Sequence, residues 1–454
     1  MECEILRSQY CGELARKTLV AFTGDNHCML ICPESGTTLA VTKETITALK
    51  RNQISNNFAF LLVQRGMADY PGSRPISTSY ENIFPTFFLI DLTKHCNLNC
   101  IYCFRDLGTP ICRMTKEKLT EICDALISYS YTHGKCMLTL QAWGGEPLLE
   151  LESIVWMRKM FADAGLHPQI VIETNATLIS EDVANTLRQN DIQVGVSVDG
   201  HALIQDMQRP FVGGAPSSSA IERGIHNLKK AGYSKVGSIT VVTKETFWHL
   251  PEILSYFVDT LHLNSIKLNL MRRNDTNREL AISPDDIPEY LELLLDTLHS
   301  FYEKRIPIIE QNISQRLRNL YCRPCNNICN AHGCHGGYRM LSINSEGKVF
   351  PCELSDFSDY AIGAIPDNDF PGMVERAIHA RHEYFAPRDL TSCADCPWIF
   401  YCRGGCRSAA KYDKGSPLGI ETTECRFNQE LYPRLIKILM NEPKFSLYLM
   451  NGVV

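Results

Sequence analysis

Six stretches of nearly continuous apolar residues alternate with amphipathic stretches in the middle of this chain. The apolar stretches predict buried strands at Phe87–Leu92, Met137–Trp143, Ile170–Glu173, Val194–Val198, Gly237–Val242 and Ile266–Leu270. The stretches between them predict helices at Lys116–Tyr131, Leu151–Ala164, Glu181–Gln189, Ser219–Ala231 and Leu250–Thr260. Buried strands that alternate with helices are typical of parallel βαβ units. The sequence therefore predicts an α/β fold with a partial (β/α)6 TIM barrel, whose chemistry lies at the carboxyl ends of the strands.

A different pattern precedes the barrel, in residues 1–85. Three short strands are predicted at Leu19–Phe22, Cys28–Ile31 and Thr38–Val41. A helix capped by Thr42 follows, and a second helix covers about 56–65 and stops at Gly66. This part of the chain therefore predicts a small α+β domain.

Beyond about residue 310 the alternation stops and cysteines become frequent. They are Cys322, Cys325, Cys329, Cys334, Cys352, Cys393, Cys396, Cys402, Cys406 and Cys425. The segment Met340–Pro351 predicts a β-hairpin with a Ser-Glu-Gly turn. Such a hairpin would bring Cys334 and Cys352 together.

Composition narrows the class of protein. A chain of 454 residues predicts two or three domains, and its net charge of −6 gives no indication of a nucleic-acid or anionic membrane partner. No apolar run is long enough for a membrane span, and no signal peptide is recognisable, so we expect a cytoplasmic protein. In a reducing cytosol, 20 cysteines indicate metal ligation rather than disulfides.

The most informative motif is a loop after the first barrel strand. It carries Cys96, Cys100 and Cys103, with three and then two residues between them, and Tyr102 stands just before the last cysteine. Three thiolates can hold three irons of a 4Fe–4S cluster, which leaves one iron open. This spacing resembles the signature of the radical SAM superfamily, and the resemblance implies that S-adenosylmethionine (SAM) chelates the fourth iron. A zinc site is the alternative, but zinc usually takes ligands in pairs.

Further motifs follow the next strands. Trp143 is followed by Gly144-Gly145-Glu146-Pro147, where two glycines let a ligand lie against bare backbone and a carboxylate can receive an ammonium group. The resemblance implies that this turn holds the amino group of SAM. It also implies that short polar side chains at later strand ends contact the ribose or carboxylate of SAM, namely Asn175, Ser197 and Asp199, and that Arg209 faces that carboxylate. The alternatives are helix caps and, for Arg209, a surface loop.

Seven of the later cysteines, together with Gly347, follow the pattern of the SPASM domain. The resemblance implies two auxiliary 4Fe–4S clusters, and so three clusters in all. One would be held by Cys393, Cys396, Cys402 and Cys425. The other would be held by Cys334, Cys352, Cys406 and a fourth ligand, for which Cys329 is favoured over Cys322 and Cys325. A pair of zinc-ribbon-like sites is the alternative, because thiolate sets suit both metals.

These resemblances define four segments and a function. The segments are 1–85, similar to a precursor-peptide recognition element; 86–310, the barrel; 311–435, the SPASM domain; and 436–454, a C-terminal tail. The implied activity is reductive cleavage of SAM to a 5′-deoxyadenosyl radical that abstracts hydrogen from a ribosomally made precursor peptide and installs a C–S or C–C crosslink. A sulfatase maturase that forms formylglycine is the alternative enzyme, and a non-catalytic Fe–S scaffold is the alternative of another class. Expected partners are the peptide and an electron donor such as flavodoxin or ferredoxin.

Overall fold

The chain was analysed as a computed structural model that describes residues 2–7, 18–24, 27–33, 36–51, 53–68, 84–105, 112–273, 277–322, 334–353, 361–366, 370, 372–377, 393, 396–402 and 404–453. Its strands are β1 Glu2–Arg7, β2 Thr18–Thr23, β3 Cys28–Cys32, β4 Thr37–Val41, β5 Phe87–Thr93, β6 Thr139–Gly144, β7 Gln169–Thr174, β8 Ile192–Ser197, β9 Gly237–Val242, β10 Ser265–Leu270, β11 Ile309–Glu310, β12 Met340–Ile343, β13 Lys348–Phe350 and β14 Gly363–Ala364. Its helices are α1 Lys43–Lys50, α2 Asn56–Gln64, α3 Lys116–Thr132, α4 Leu151–Asp163, α5 Glu181–Gln189, α6 Ala202–Gln208, α7 Ser218–Lys230, α8 Leu250–Asp259, α9 Ile287–Glu303, α10 Gln311–Cys322, α11 Ile399–Cys402, α12 Arg407–Lys414, α13 Thr422–Asn441 and α14 Pro443–Asn451.

The predicted barrel is confirmed. Strands β5 to β10 lie side by side in chain order and all pair in parallel. The outward-facing residues of these strands, such as Ile170 and Ile172 on β7, are buried in one large core shared with the surrounding helices. Alternate residues of the same strand, Val171 and Glu173, face the interior of the barrel and line a cavity there.

The cysteine-rich region is joined to the barrel through the sheet itself. Strand β12 pairs in parallel with β5, and β13 and β14 continue the same sheet in antiparallel fashion. The expected hairpin between Met340 and Pro351 is present, with Gly347 at a positive φ of 85° in its turn. The cysteine-rich region is therefore hydrogen-bonded, through β12, to the strand that leads into the Cys96 loop.

The N-terminal segment differs from the prediction by one strand. It forms an antiparallel sheet in the order β1-β2-β3-β4, so β1 was missed, whereas the two helices were predicted correctly. Successive side chains of each strand face opposite sides of the sheet, so the sheet contributes to two cores. Residues on one face, such as Leu30, pack against α1 and α2, and residues on the other face, such as Phe22, join the main core.

Contacts of this sheet reach the cysteine-rich region. The ring of Phe22 stacks on Trp398 with ring centroids 5.4 Å apart. The hydroxyl of Tyr401 donates to the carbonyl of Gly36 over 2.8 Å. The sheet therefore supports the segment that carries Cys393 to Cys402.

The last residues are not an extended tail. Helices α13 and α14 cover 422–451, and α14 packs on α9, α10 and α13. The hydroxyl of Ser314 in α10 donates to the carbonyl of Met450 over 2.9 Å. None of the helices in the described part of the chain is long and apolar enough to cross a membrane.

Candidate active site

The loop with three cysteines is held at the carboxyl end of β5. Cys96, Cys100 and Cys103 all line the barrel cavity. The loop is bonded to the end of α6 and the residues just after it, since the N–H of Asn99 donates to the carbonyl of Pro210 and the N–H of Ile101 to the carbonyl of Gln208. The spacing of the motif thus folds into one rigid turn that presents its three thiols to the cavity.

Burial raises the pKa of two of these thiols, Cys96 and Cys100. The pKa of Cys100 rises to about 12; Arg209 opposes this increase, and Asp199 adds to it by a smaller amount. Burial is also the main cause of the raised pKa of Cys96, although the N–H of Leu98, 3.5 Å from its Sγ, acts in the opposite direction. A thiolate is favoured here only when a metal cluster supplies positive charge, so binding the cluster must release protons.

The donor set suits a cluster rather than one ion. Among the described residues, no three cysteine, histidine or carboxylate side chains approach closely enough to share a single metal ion. A 4Fe–4S cluster takes one thiolate for each iron, so thiols spread around a cavity wall match it. The residues present therefore fit the iron–sulfur group that the motif implies.

Gly145 of the next motif packs against the backbone at the start of the cysteine loop. A Cβ on Gly145 would lie 2.1 Å from the carbonyl oxygen of His95. The N–H of Gly145 donates to Thr93 over 2.8 Å, and the N–H of Glu146 to His95 over 2.7 Å. The absence of a side chain at Gly145 is therefore required by this contact between two backbone segments, and Gly144 and Gly145 also line the barrel cavity.

The carboxylate of Glu146 joins the ends of two strands. It is buried and accepts hydrogen bonds from the N–H of Leu148 (3.0 Å), the hydroxyl of Thr174 (2.6 Å) and the N–H of Asn175 (2.8 Å). Burial raises its pKa, and these three donors act against that increase. A carboxylate has about four acceptor positions, so one remains toward the cavity that Glu146 lines.

Glu146→Gln is expected to weaken SAM binding about tenfold to a hundredfold, because a charge-assisted hydrogen bond contributes about 1.5–3 kcal/mol. The side-chain NH2 group of glutamine would also face N–H and O–H groups that are themselves donors, so the free energy of unfolding should fall. Titration of the cluster's EPR signal with SAM measures affinity, and urea unfolding measures stability. Glu152→Gln, at an exposed position on α4, is the control. Unchanged affinity with lowered stability would restrict Glu146 to a role in the fold.

Asn175 and Ser197 both lie on the cavity wall. The amide of Asn175 donates to Asn97 in the cysteine loop over 2.8 Å and lies 3.9 Å from the Sγ of Cys96. Asn175 therefore links the end of β7 to the loop, beside one of the thiols.

Asp199 takes a different place from the one predicted. It is fully buried, and its carboxylate accepts from the hydroxyl of Tyr102, from Nε of Arg209 (2.9 Å) and from Nε2 of Gln208 (3.0 Å). The N–H of Val241 donates to its other oxygen over 3.0 Å. Its oxygens are thus engaged away from the cavity, and we reassign Asp199 from contacting the cofactor to positioning Arg209 and Tyr102.

Of the residues that bond to Asp199, Arg209 and Tyr102 reach the barrel cavity. The guanidinium carbon of Arg209 lies 5.3 Å from the centroid of the Tyr102 ring, and both residues line the cavity. Only Nε of Arg209 bonds to Asp199, so the other guanidinium N–H groups remain for an anion in the cavity.

The later cysteines gather around two further cavities. The first is lined by Cys393, Cys396, Cys402 and Cys425. The second is lined by Cys334, Cys352 and Cys406. Burial raises the pKa of Cys402 to about 12 and that of Cys425 to about 11, so these thiols also need a metal to ionise at neutral pH. Cys325 and Cys329 and the side chain of Cys322 lie outside the described residues.

The barrel cavity and the cavity of the second set adjoin each other. The barrel cavity has a volume of about 960 Å³. The residues that line both cavities are Lys267, Asn269, Leu270, Met271, Arg272, Met340 and Glu353. A molecule bound in the barrel therefore lies between the Cys96 loop and the Cys334, Cys352 and Cys406 thiols.

Sequence reasoning missed the polar side chains inside the barrel. Gln141, Glu173, Lys267 and Asn269 point inward from β6, β7 and β10 and line the cavity. Each interrupts a strand whose alternate residues are apolar, and this is the signal that would have identified them. Arg105 was also missed; it pairs with the buried carboxylate of Asp91 and lies 5.7 Å from the ring centroid of Trp143.

Comparisons with known proteins agree with this arrangement. Residues 90–257 match the radical SAM superfamily, and residues 334–397 match SPASM, an iron–sulfur cluster-binding domain. An uncharacterized protein of Methanocaldococcus jannaschii is 31% identical over 300 residues, which are 64% of this chain and 94% of that protein. The cysteine-type anaerobic sulfatase-maturating enzyme of Clostridium perfringens (strain 13 / Type A) is 24% identical over 365 residues, which are 76% of this chain and 96% of that enzyme.

Two solved structures share the fold. The structure of anSMEcpe with bound AdoMet and Cp18Cys peptide superposes with a TM-score of 0.66 at 22% identity, over 79% of this chain and 99% of that one. The structure of Streptococcus suis SuiB bound to precursor peptide SuiA superposes with a TM-score of 0.54 at 14% identity, over 90% of this chain and 97% of that one.

Proposed function

Because this chain belongs to the radical SAM superfamily and carries a SPASM domain, we propose that it is a peptide maturase that installs a C–S or C–C crosslink in a ribosomally made precursor peptide. The chain is an enzyme, and its two domains imply iron–sulfur clusters and SAM. A peptide as substrate is supported by the peptides present in the two solved structures.

The observation that carries this proposal is that the barrel cavity and the cavity of Cys334, Cys352 and Cys406 share part of their walls. Ligand sites typically occupy about 300–1,000 Å³. A volume of about 960 Å³ leaves room for SAM and a short stretch of peptide together. One part of the peptide would then lie near the SAM end and another near the SPASM thiols, as a reaction that joins two residues requires.

The protein holds the reactants and excludes water. When bound, the reduced cluster supplies the electron that cleaves SAM to methionine and a 5′-deoxyadenosyl radical. Cys96, Cys100 and Cys103 would hold that cluster, and Arg209 would orient the carboxylate of SAM. The barrel wall keeps the substrate carbon near SAM and keeps solvent out.

We assign three clusters to the three groups of cysteines. Cys393, Cys396, Cys402 and Cys425 would hold one auxiliary cluster. Cys334, Cys352 and Cys406 would hold the other, with Cys329 favoured as the fourth ligand over Cys322 and Cys325. A small redox protein such as flavodoxin or ferredoxin would supply the electrons.

The test is anaerobic incubation of the reconstituted protein with SAM, dithionite and the short peptides encoded beside its gene. Release of 5′-deoxyadenosine together with a peptide lighter by two hydrogen atoms is the expected result. Fragmentation of the product locates the crosslink. SAM cleavage without any change in these peptides would reject the crosslinking reaction but not the superfamily chemistry.

Formylglycine formation is the second candidate, and the likeness to the sulfatase-maturating enzyme of Clostridium perfringens favours it. An aldehyde product would react with a hydrazide probe, whereas a crosslinked peptide would not. The same peptide samples therefore distinguish the two reactions.

The N-terminal sheet is proposed to recognise the leader of the precursor by adding a strand from the peptide. Strand β1 lies at one edge of this sheet and pairs with β2. Deleting the whole segment 1–85 would also remove Phe22 from Trp398 and expose the main core, so SAM cleavage and peptide modification should fall together.

Deletion of residues 1–17 is expected to separate the two roles. It removes β1 but retains Phe22 and the rest of β2 to β4. We expect peptide modification to be lost while dithionite-driven SAM cleavage persists, because the cluster ligands lie downstream. Both products are measured in the same reaction. Normal modification by the shortened enzyme would rule out β1 as the leader-binding edge.

A further inference from the structure

Glu173 is a carboxylate inside the barrel that the fold does not use. Its side chain points into the cavity from β7, near the end of the strand. It makes no hydrogen bond or ion pair with any residue that the structure describes. Its partner in the neighbouring strand is Gly195, whose lack of a side chain leaves the space beside the carboxyl open to the cavity.

Other buried carboxylates of the chain are treated differently. Glu310 accepts from the N–H groups of Leu268 (3.0 Å) and Ile313 (2.7 Å), and Glu146 and Asp199 have the partners given above. Glu173, by contrast, is half-buried on the cavity wall and has no hydrogen bond from the residues that the structure describes, so its carboxyl group is open to a bound molecule. The contrast between Glu173 and Glu310 therefore indicates that Glu173 serves a molecule in the cavity.

Three charged groups face Glu173 from other elements. Lys267 on β10 and Arg272 just after it favour the ionised carboxylate, and Glu353 after β13 opposes it. Burial is the largest influence and raises the pKa of Glu173 above its usual 4.5. Glu173 is half-buried, and its side chain lies on the wall of a cavity that is partly open to solvent.

We propose that Glu173 is a catalytic residue that accepts the proton released by the peptide substrate. This role rests on the proposed function. When a carbon–sulfur crosslink forms, a C–H bond and an S–H bond break and a C–S bond forms. The thiol proton would pass to Glu173, while bound SAM would supply the acceptor for the hydrogen atom from carbon and an oxidised cluster held by the SPASM cysteines would supply the acceptor for the remaining electron.

The position of Glu173 agrees with these separate acceptors for the hydrogen atom, the proton and the electron. Glu173 lies two residues before Asn175, which contacts the Cys96 loop. Arg272 lies on the wall that the barrel cavity shares with Cys406, and it also acts on the pKa of that thiol. A substrate beside Glu173 therefore has the SAM end on one side and the SPASM thiols on the other.

The first test needs no substrate. A raised folded-state pKa means that the proton on Glu173 contributes stability that is present below the unfolded value of 4.5 and is lost as the pH rises through the folded value. Glu173→Gln should therefore have a higher urea midpoint than the natural enzyme at about pH 8, with a smaller difference at about pH 5. Glu310→Gln is the matched control and should have a lower midpoint, because its amide would face two backbone N–H donors. Both are measured on the anaerobically reconstituted protein.

The second test uses a synthetic peptide that contains cysteine. For Glu173→Gln, the amount of modified peptide per 5′-deoxyadenosine should fall about 100-fold with little change in KM. The loss should shrink as pH rises, because hydroxide can replace the missing base. A variant that is no more stable at high pH, that keeps its product ratio, or that changes KM alone would overturn the proposal. Absence of SAM cleavage by the natural enzyme would instead reject the proposed function, and this proton transfer with it.

Discussion

Replacing Cys96, Cys100 and Cys103 by alanine is expected to abolish SAM cleavage while iron remains on the other cysteines. The three thiols line the barrel cavity, whereas the later cysteines surround two other cavities. Nothing else in the described barrel wall offers three thiolates, so the loss of turnover should be complete. Iron and sulfide analysis after anaerobic reconstitution, together with EPR spectra of the reduced protein, measures which clusters remain.

The control for this experiment is Cys136→Ala, at a position that lines none of the three cavities. It should keep its iron content and its SAM cleavage. Loss of all iron from the triple variant would contradict separate sites, and persistent SAM cleavage would remove the loop from the chemistry.

The barrel could be predicted because each apolar strand and each amphipathic helix is recognisable within a short stretch of sequence. Strand β9 was predicted with its exact bounds, and each of the other barrel strands within two residues. The cysteine loop was recognised from spacing alone, because residues that bind one cluster from one loop must be close in sequence. Its attachment to Gln208 and Pro210 was not visible, since it depends on two loops that meet only after folding.

The burial of polar residues was the main feature that could not be predicted from the sequence. Asp199 directly follows a predicted strand, and a polar residue that contacts a ligand would stand at the same place in the sequence. Only the folded chain brings Tyr102, Gln208 and Arg209 to its oxygens. The role of Gly145 was likewise set by a carbonyl fifty residues earlier in the chain, that of His95.

Of two departures from the prediction, one had a readable signal. Apolar residues recur at helical spacing in α14, for example at Phe445, Tyr448 and Leu449, so the region assigned to a tail was predictable as helix. Strand β1 is different, because its pairing with β2 crosses a segment of the chain without a recognisable turn signal. An isolated six-residue pattern could not specify that partner.

The buried ion pair behind the cavity gives the second large expected effect. Asp199→Asn should lower the free energy of unfolding by about 3–5 kcal/mol, because removing one partner leaves the buried charge of Arg209 uncompensated. SAM affinity should also fall, since Arg209 would no longer be held by Asp199 beneath the Tyr102 ring. Asp163→Asn, in an exposed pair with Lys159, is the control and should cost less than about 1 kcal/mol.

A double-mutant cycle separates the pair from its surroundings. If Arg209 acts on the fold mainly through Asp199, the variant with both Asp199→Asn and Arg209→Gln should recover part of the stability that Asp199→Asn loses, because no buried charge is then unpaired. It should not recover SAM affinity, because the cation facing the cavity is gone. Urea unfolding and SAM titration on all four proteins measure the two quantities. Strictly additive stability changes would show that the two residues act independently, and recovered SAM binding would exclude Arg209 as the group that holds the carboxylate of SAM.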